Sequence, residues 1–464
     1  MAMGKRQRAV QESLWIPTAS VARGPGHPFY DRLNDVLNDG DFDRFVERRC
    51  GKFYAKKMGR PSLAPAVYFR LLLIGYFEGI DSERGLAWRV ADSMALRRFL
   101  GYTLADPTPD HSTISRNRRL IDLNTHHEVF VWVLQLLARE KLLNGKTLGI
   151  DATTLEASAA LRSIVRRDSG ASYEEFLTQL AKASGIETPT RADLVRIDKN
   201  RRNKGSNDDW EHPHDPDAKI TKMKDGRTHL AHKAEHAVDL QTGALVAVTV
   251  QPANRGDTGS MDETLRHVDE NLMGVMADDE AAEGLHDDPV SEVVADKGYH
   301  SNAVLTRQRD CGIRTYISEP DRGRRNWNGK TEKEKAEKSA ARDAVYANRR
   351  RIQSARGRRL MKKRGELLER SFAHCYNTGR MRRTHLRGHP NILKRLLIHA
   401  AGFNLSLLLR RILGVGTPRG LQGLARVFRA LLTSIRKQRR LINLNCFDSW
   451  YGERSKQYAS RLVA

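Results

Sequence analysis

The sequence contains few cysteines. Only four occur among its 464 residues, Cys50, Cys311, Cys375 and Cys446, and even the closest two are far apart in the chain. Such spacing excludes a CxxC metal knuckle and a dense disulfide framework. We therefore expect reduced, mostly buried thiols in a cytoplasmic protein.

Long apolar runs are also lacking. The closest approach is residues 396–409, which His399, Asn404 and Ser406 interrupt. A membrane span needs about 18 or more consecutive apolar residues, so none is expected. The first 20 residues lack the apolar stretch of a secretory signal. The sequence thus predicts a cytoplasmic protein without a membrane partner.

Acidic residues are too few to balance the basic ones. Lys and Arg total 80 against 56 Asp and Glu, so the formal net charge is +24. A surplus of this size indicates a polyanionic partner, and nucleic acid is the usual one. The basic residues are interspersed with patterned apolar segments, which favours a folded protein over a disordered basic tail.

The first part of the chain, residues 1–142, is predicted to be a helical DNA-binding or dimerisation domain. In YFRLLLIGYFEGI the apolar residues recur every three or four positions, as on a core-facing helix. A break at residues 106–113 precedes a helix that opens with Arg116, Arg118 and Arg119. These side chains could enter a DNA groove, although a solvated helix start is the more common interpretation.

From residue 143 to 413 the pattern is mixed. It predicts a strand 146–151, a hairpin of strands 229–239 and 244–250, and a helix 258–276. A strand 292–296, a helix 302–309, a strand 312–317 and a closing helix 365–376 follow. Polar, basic insertions are expected near 156–225 and 321–364, and a basic helical tail over 414–464. This order predicts an α/β fold, a ribonuclease-H-like mixed sheet flanked by helices and preceded by an all-helical domain.

Three carboxylates stand where such a sheet would gather them. Asp151 and Asp296 end predicted strands, and Glu369 lies on the closing helix. Taken singly, an Asp at a strand end is more often a turn residue. Three converging carboxylates repel one another unless a cation neutralises them. Mg²⁺ (or Mn²⁺), with two ions, suits oxygen ligands and in-line phosphoryl transfer. Glu366, one turn away, is the alternative to Glu369.

At these residues the sequence resembles the DDE transposases of bacterial insertion sequences. The resemblance is carried by GIDATTLEASA, DPDAKITKMKDGRTHLAHKAEHAVD, VVADKGYHS and LERSFAHCYNTGRMRRTHLRG, in that order. The helical GRPSLAPAVYFRLLLIGYFEG segment is similar to the domain that precedes the catalytic core in many such enzymes. The likeness runs from about residue 55 to 410.

The resemblance implies roles for particular residues. Asp151, Asp296 and Glu369 match the catalytic triad that binds divalent metal. In the family, water cuts the end of the element and the freed 3′-hydroxyl attacks target DNA. Related enzymes often carry a DNA-contacting lysine seven positions after the Glu, where this chain has Tyr376. The basic residues that follow match the family pattern and could take over that contact: Arg380, Arg382 and Arg383.

Other side chains have simpler interpretations that stay open here. The run from Arg349 to Arg364 holds nine basic residues and no acid. A charge run is usually a solvated face, but beside a nuclease-type site it could follow DNA phosphates. The residues assigned to DNA from this run are Arg358, Arg359, Lys362 and Lys363, and Lys233 could contribute similarly.

Aromatic and histidine clusters are weaker signals. Trp210 and Trp327 could stack on a displaced base, although partial burial is more common. His229, His232 and His236 could suggest zinc on a helix, but the predicted hairpin places them on a strand, where residues three apart face opposite sides. Two further acids of a recurring family stretch have no assigned role: Asp215 and Asp217.

The sequence therefore predicts a DNA transposase that cleaves the ends of an insertion sequence and transfers strands into target DNA. Alternatives are an inactive, transposase-derived DNA-binding protein and a related nuclease without strand transfer. The expected partners are the terminal inverted repeats, the target DNA and a second copy of the chain. A bacterial, nucleoid-associated location follows from these partners.

Overall fold

The mixed region folds around one sheet, in a computed structural model that describes residues 27–55, 62–201, 204–223, 226–321, 323 and 325–421. Its strands are β1 (Thr147–Glu156), β2 (Val165–Arg166), β3 (Trp210–Glu211), β4 (Lys219–Lys222), β5 (Thr228–Asp239), β6 (Leu245–Pro252), β7 (Glu292–Ala295) and β8 (Arg314–Ile317).

Helices precede and flank that sheet. They are α1 (Pro28–Asp39), α2 (Phe42–Cys50), α3 (Pro65–Glu78), α4 (Glu83–Ala91), α5 (Met94–Phe99), α6 (His111–Leu120), α7 (Leu123–Arg139), α8 (Tyr173–Ala183), α9 (Arg191–Asn200), α10 (Asp257–Met276), α11 (Asp279–Ala282), α12 (Asn302–Asp310), α13 (Glu332–Gln353), α14 (Ala355–Phe372) and α15 (His389–Leu413). Short 3₁₀ turns occupy Gly51–Phe53, Leu161–Ser163 and Lys297–Tyr299, and a π-helical segment, Ala373–Thr378, continues α14.

The main sheet is mixed. Its order is β4–β5–β1–β7–β8, with β6 also on β5. β5 is antiparallel to β1, β4 and β6, whereas β1, β7 and β8 run parallel. The expected α/β class with a mixed sheet flanked by helices is confirmed, as are the hairpin, the helix before β7 and the strand before Asp296. The ribonuclease-H-like assignment stays a prediction.

Helices cover both faces of the sheet. On β5, Glu235 accepts a hydrogen bond from Ser260 of α10, while the next residue, His236, bonds Ser371 of α14. Successive strand residues point to opposite faces. Helices α10 and α14 therefore lie on opposite sides, and the centre of the sheet is buried between them.

The N-terminal helices and the sheet share one core. α3 is apolar on all sides and almost wholly buried, as expected for a helix inside a bundle. α15 packs against α3 and α7 on one side and β6 on the other. Asn404 of α15 pairs with both backbone groups of Leu245, at 2.9 and 2.8 Å. α15 thus ties the helical part to the sheet.

The two insertions are more ordered than their composition suggests. The first contains α8, α9 and the strand pair β2–β3, which surround a small core of their own including Ile164, Trp210 and Leu230. Its last part is not an insertion at all, because β4 pairs with β5 in the main sheet. The second contains α13.

The closing helix is longer than predicted. α14 begins at Ala355 rather than Gly365, capped by the Ser354 hydroxyl, which accepts from the Gly357 amide at 3.0 Å. The first turns of α14 are rich in basic residues. Their composition resembles that of a solvated loop, so the sequence did not indicate that the helix begins there. The predicted tail after residue 421, including a helix near 431–441, lies outside the described residues.

One helical stretch, His389–Leu421, is long and apolar enough to cross a membrane by composition. Within it, 89% of the most apolar window is buried inside the protein. The stretch begins with α15, which is the helix that packs in the core described above.

Candidate active site

Asp151 lies inside β1 rather than at its end. The strand continues to Glu156 along β5, with Asp151 opposite His236. On its other edge, β1 pairs with β7 only as far as Gly149 opposite Val294. The expectation that the strand stops at Asp151 is therefore wrong. What stops there is the neighbouring strand, so one flank of Asp151 is left open.

Asp296 follows β7 at the same level. Two residues beyond the Gly149–Val294 pair, Asp151 and Asp296 fall side by side on one face of the sheet. The Asp296 carboxylate accepts a hydrogen bond from the Gly298 amide at 2.8 Å, which caps the 3₁₀ turn behind it. The structure thus brings the two predicted aspartates together.

Electrostatics reflect this proximity. Burial raises the pKa of the Asp151 carboxyl group, and the negative charges of Asp296 and Asp257 raise it further. The Arg364 guanidinium opposes them, because it pairs with Asp151 through Nη2 and Oδ2 at 2.6 Å. Three acids next to two close cations, Arg364 on Asp151 and Lys233 on Asp257, leave a net negative charge, and this is the condition that favours binding of a metal cation.

Arg364 reaches Asp151 along a path that only glycine leaves open. A Cβ on Gly149 would stand 3.3 Å from Arg364 Cγ and 2.7 Å from a Leu240 methyl carbon. The Arg364 stem therefore crosses the sheet over Gly149, and its Nε donates to the Ile150 carbonyl at 3.3 Å. In the sequence, Arg364 is part of the basic run from Arg349 to Arg364, and no local pattern connects it to the acidic site.

Glu369 is on the correct helix but does not complete a site. It is exposed on α14, five residues after Arg364, or about 7.5 Å further along the helix axis. Among the described residues, no group of three His, Cys, Asp or Glu side chains is arranged to hold a metal ion. The alternative, Glu366, forms an ion pair with Arg370 at 2.8 Å. That contact favours Glu369 as the uncommitted acid.

A further acid, Asp257, was missed. It begins α10 just after β6, and its Oδ2 lies so near Gly298 that a Cβ there would be 2.4 Å away. Its Oδ1 accepts from Lys233 Nζ at 2.6 Å. Its sequence signal is weaker than that of Asp296, which follows its strand directly, because four residues separate Asp257 from the end of β6.

A buried network supports this edge of the sheet. Glu235, wholly buried on β5, accepts from Tyr299 Oη at 2.6 Å and from Ser260 Oγ at 2.8 Å. Tyr299 belongs to the turn after Asp296, and Ser260 to the first turns of α10 beside Asp257. Glu235 therefore fixes both acid-bearing loops. Lys233, expected to face DNA, is buried in this network instead.

Two family models match the chain. Residues 20–120 match "Transposase domain (DUF772)" and residues 207–405 match "Transposase DDE domain", which together exceed half of the chain. The chain belongs to the DDE transposases of insertion sequences. The second match includes Asp296 and Glu369 but begins after Asp151. Comparisons with curated proteins and with solved structures found no significant match.

Tyr376 of the transposase is a core residue, not a surface residue facing DNA. It is fully buried, and its Oη lies 2.5 Å from His236 Nε2. Ser371 donates its only hydroxyl proton to the Leu368 carbonyl at 2.8 Å, so it accepts from His236 Nδ1 at 2.9 Å. His236 Nε2 therefore accepts from Tyr376. Burial lowers the pKa of His236 to about 3, which keeps the ring neutral.

The arginines after Tyr376 border the acidic site of the transposase. Arg382 stacks over the Tyr376 ring at 5.8 Å and donates to Thr153 Oγ1 at 3.3 Å, on the same strand face as Asp151. Arg383 lies 3.6 Å from Glu156, where its segment pairs with the end of β1. Both are exposed, as is Arg380.

The basic run divides into two faces. Four of its arginines are held by the sheet region: Arg349 by Glu319, Arg351 by Thr315, Arg356 by Glu292 and Arg364 by Asp151. The four residues assigned to DNA are exposed on α14: Arg358, Arg359, Lys362 and Lys363. Part of the run is thus structural, and the predicted DNA-contacting part remains accessible.

In the N-terminal helices, one of three assigned arginines is committed elsewhere. Arg118 pairs with Glu83 at 2.8 Å and donates to Asn391 of α15 at 3.1 Å, with 13% of its side chain exposed. It joins α6 to the core, so its assignment to a DNA groove does not hold. Arg116 and Arg119 are exposed on α6.

The family stretch without an assigned role is structural in this transposase. Asp215 accepts from the Gly388 amide at 3.1 Å, and Asp217 from the His389 amide at 3.0 Å. These two amides begin α15, which has no capping side chain of its own. Carboxylates stabilise such a terminus through hydrogen bonds and the helix dipole. His232 lies 3.3 Å from Asp215 on β5, buried beside it.

The remaining aromatic residues are packed. Trp210 is 1% exposed, against Tyr173 and Phe176 in the core of the first insertion. Trp327 is half-buried against Tyr346. Burial, the simpler of the two interpretations, is confirmed for both.

Proposed function

We propose that this transposase performs metal-dependent cleavage at the ends of its insertion sequence and joins the freed 3′-hydroxyl to target DNA. The observation that carries the proposal is the side-by-side placement of Asp151 and Asp296 where β7 stops, in a chain that matches two transposase family models. A ribonuclease-H-like core around this sheet is part of the same proposal.

The donor set fits a hard divalent cation. Asp151, Asp296 and Glu369 offer carboxylate oxygens only, and the pKa of Asp151 is raised by burial first and by the charges of Asp296 and Asp257 second. Oxygen ligands of this kind suit Mg²⁺ or Mn²⁺ and do not suit softer metals. DDE transposases generally use divalent metal ions. Two bound ions would stabilise the charge that develops on phosphate oxygens during in-line displacement.

The residues of the chain have separate tasks in this mechanism. Asp151 and Asp296 are held by strand pairing and by the Gly298 amide, so their carboxylates are pre-positioned. Glu369 joins them from α14. Arg382 and Arg383 hold the DNA backbone next to the end of β1, and the basic face of α14 extends that contact. Arg116 and Arg119 contact the DNA through the helical domain.

Paired ends imply two subunits. Cutting and joining both ends of an element requires two active sites in one complex, so we propose a homodimer on DNA, acting in the cytoplasm at the nucleoid. Tyr376 does not favour an inactive relic, because it fills the core instead of replacing a surface contact.

The test compares Asp296→Asn with Asp310→Asn. Asp310 is an exposed carboxylate at the end of α12, so it serves as a matched control. With duplex DNA carrying an element end and Mg²⁺, we expect Asp296→Asn to abolish nicking while DNA binding is retained, and the control to cut normally. Nicking by Asp296→Asn at the wild-type rate would reject the site. Pre-cleaved ends that are never joined would indicate a nuclease.

A further inference from the structure

Arg364 forms an ion pair with Asp151, one of the carboxylates that the proposed metal site requires. Its side chain is 11% exposed and its Nη2 lies 2.6 Å from Asp151 Oδ2. The other contact of its guanidinium is the Ile150 carbonyl, at 3.3 Å. Asp151 keeps one other bond, from the Ala152 amide to Oδ1 at 2.8 Å. Both oxygens of Asp151 are therefore engaged.

A guanidinium and a divalent cation compete for such an oxygen. Both are positive, and the Arg364 guanidinium, 2.6 Å from Oδ2, already neutralises Asp151, so a metal ion bound there would meet a like charge at short range. Oδ2 keeps a second lone pair, so the competition is for the negative charge of Asp151 and for one lone pair of this oxygen.

We propose that Arg364 takes the place of a metal ion in the free enzyme. Its guanidinium neutralises Asp151, and it must move away from this carboxylate before metal binds there tightly. This inference rests on the proposed function. It assigns Arg364 a role in controlling when metal binds to Asp151, and the position of Arg364 in a basic run does not suggest this role.

The negative phosphates of DNA can release Arg364 from Asp151. The exposed Arg382 donates to Thr153 Oγ1 at 3.3 Å, two residues beyond Asp151 on the same face of β1, so a phosphate that Arg382 binds lies near the Arg364–Asp151 pair. Phosphate accepts bidentate hydrogen bonds from guanidinium as well as carboxylate does. A phosphate held beside Arg382 therefore competes with Asp151 for Arg364, and DNA and metal binding become positively coupled. Metal loading is then largely confined to the complex with DNA.

The experiment measures Mn²⁺ binding to the full-length protein without DNA, by titration calorimetry or by the electron paramagnetic resonance of free Mn²⁺ at pH 8. Four proteins are compared: wild type, Arg364→Gln, Arg370→Gln and Asp151→Asn. Arg370 is the matched control, because it is an arginine of the same helix whose partner, Glu366, lies outside the acidic pair. Circular dichroism and urea unfolding establish that each variant is folded.

Arg364→Gln should bind Mn²⁺ at least about tenfold more tightly than wild type, since a competing cation has been removed from a partly buried carboxylate. Arg370→Gln should match wild type, and Asp151→Asn should lose the site. Weaker or unchanged binding by Arg364→Gln would overturn the inference, because Arg364 would then support the metal-free geometry only. Should Arg364→Gln not fold, Arg364→Met, which keeps an unbranched stem over Gly149 but removes the charge, should still tighten Mn²⁺ binding, and unchanged binding would overturn the inference.

The outcomes separate this inference from the proposed function. Absence of Mn²⁺ binding in every protein, with or without duplex DNA, would remove both. Binding that depends on Asp151 but is unaffected by Arg364→Gln would leave the metal-dependent function intact and remove only the role of Arg364 in controlling metal binding. A second measurement addresses coupling: duplex DNA should tighten Mn²⁺ binding to wild type more than to Arg364→Gln.

Discussion

Tyr376 offers the sharpest test of the structure against the family pattern. Related transposases often carry lysine at this position, so Tyr376→Lys would appear to restore a DNA contact. The structure predicts the opposite. The side chain at 376 is fully buried, donates to His236 and lies under the Arg382 guanidinium, whose centre is 5.8 Å from the ring. An ammonium group at position 376 would lie in an apolar environment, next to the positive charge of Arg382.

The size of the effect follows from proton linkage. If the buried lysine stays neutral, folding at pH 7.5 must lower its pKa from about 10.4 to below the ambient value, which costs about 4 kcal/mol. Loss of the aromatic contacts with Phe372 and His236 adds roughly 1–3 kcal/mol. The sum, about 5–7 kcal/mol, is a large part of the stability of a typical folded protein.

The assay is urea unfolding at several pH values. Because the folded variant binds fewer protons than the unfolded one, its free energy of unfolding should rise with pH by about 1.4 kcal/mol per unit between pH 7.5 and 9.5 relative to wild type. Tyr376→Phe, which only leaves His236 Nε2 without a donor, should cost about 1–3 kcal/mol with no such slope. Tyr346→Lys, at an exposed tyrosine of α13, is the control.

The result that would refute this reasoning is a stable Tyr376→Lys protein with unchanged pH dependence and stronger DNA binding. That outcome would mean the lysine reaches the surface, and that the packing around His236 rearranges easily. An aggregated Tyr376→Lys together with a mildly destabilised Tyr376→Phe agrees with the structure.

Two further predictions concern acid stability and salt. Burial lowers the pKa values of three histidines, to about 4, 3 and 3: His126, His236 and His399. Below the unfolded pKa of about 6.5 only the unfolded chain takes up these protons, so unfolding free energy should fall by about 4 kcal/mol from pH 7.5 to 5.5, measured in urea; a flat profile would contradict their burial. Replacing Lys362 and Lys363 by alanine should reduce the slope of log affinity against log salt by about 2, whereas alanine at Lys333 and Lys335, exposed on α13, should leave it unchanged. Equal slopes for the two pairs would remove the α14 face from the DNA contact.

Local patterns predicted β6, β7 and β8 well because these strands are apolar runs bounded by turn residues, but they missed β4 and ended β1 five residues early. The hairpin β5–β6 and the helix α10 were recognised almost residue by residue. The start of α14 was not, because its periodic residues are interrupted by arginines that pair with distant acids such as Glu292 and Asp151. A pairing across more than 60 residues leaves no periodic signal in the chain.

The same limit applies to the candidate site. Strand-end carboxylates could be found singly, and the family pattern selected Asp151, Asp296 and Glu369 among them. Neither source indicated that Lys233 is buried beneath Asp257 or that Tyr376 caps a neutral histidine. Both facts depend on which face of β5 each residue takes, and that is decided by the register with β1 and by the helices on either side.

The strand register also explains why Asp151 and Asp296 lie at the edge of the apolar core. β7 ends at Ala295 while β1 continues on the β5 side, so Asp151 keeps a paired backbone on one edge and an open flank on the other. A fully paired Asp151 would be enclosed between two strands, and an Asp151 at a true strand end would lose the rigid partner His236. The short β7 gives both rigidity and access.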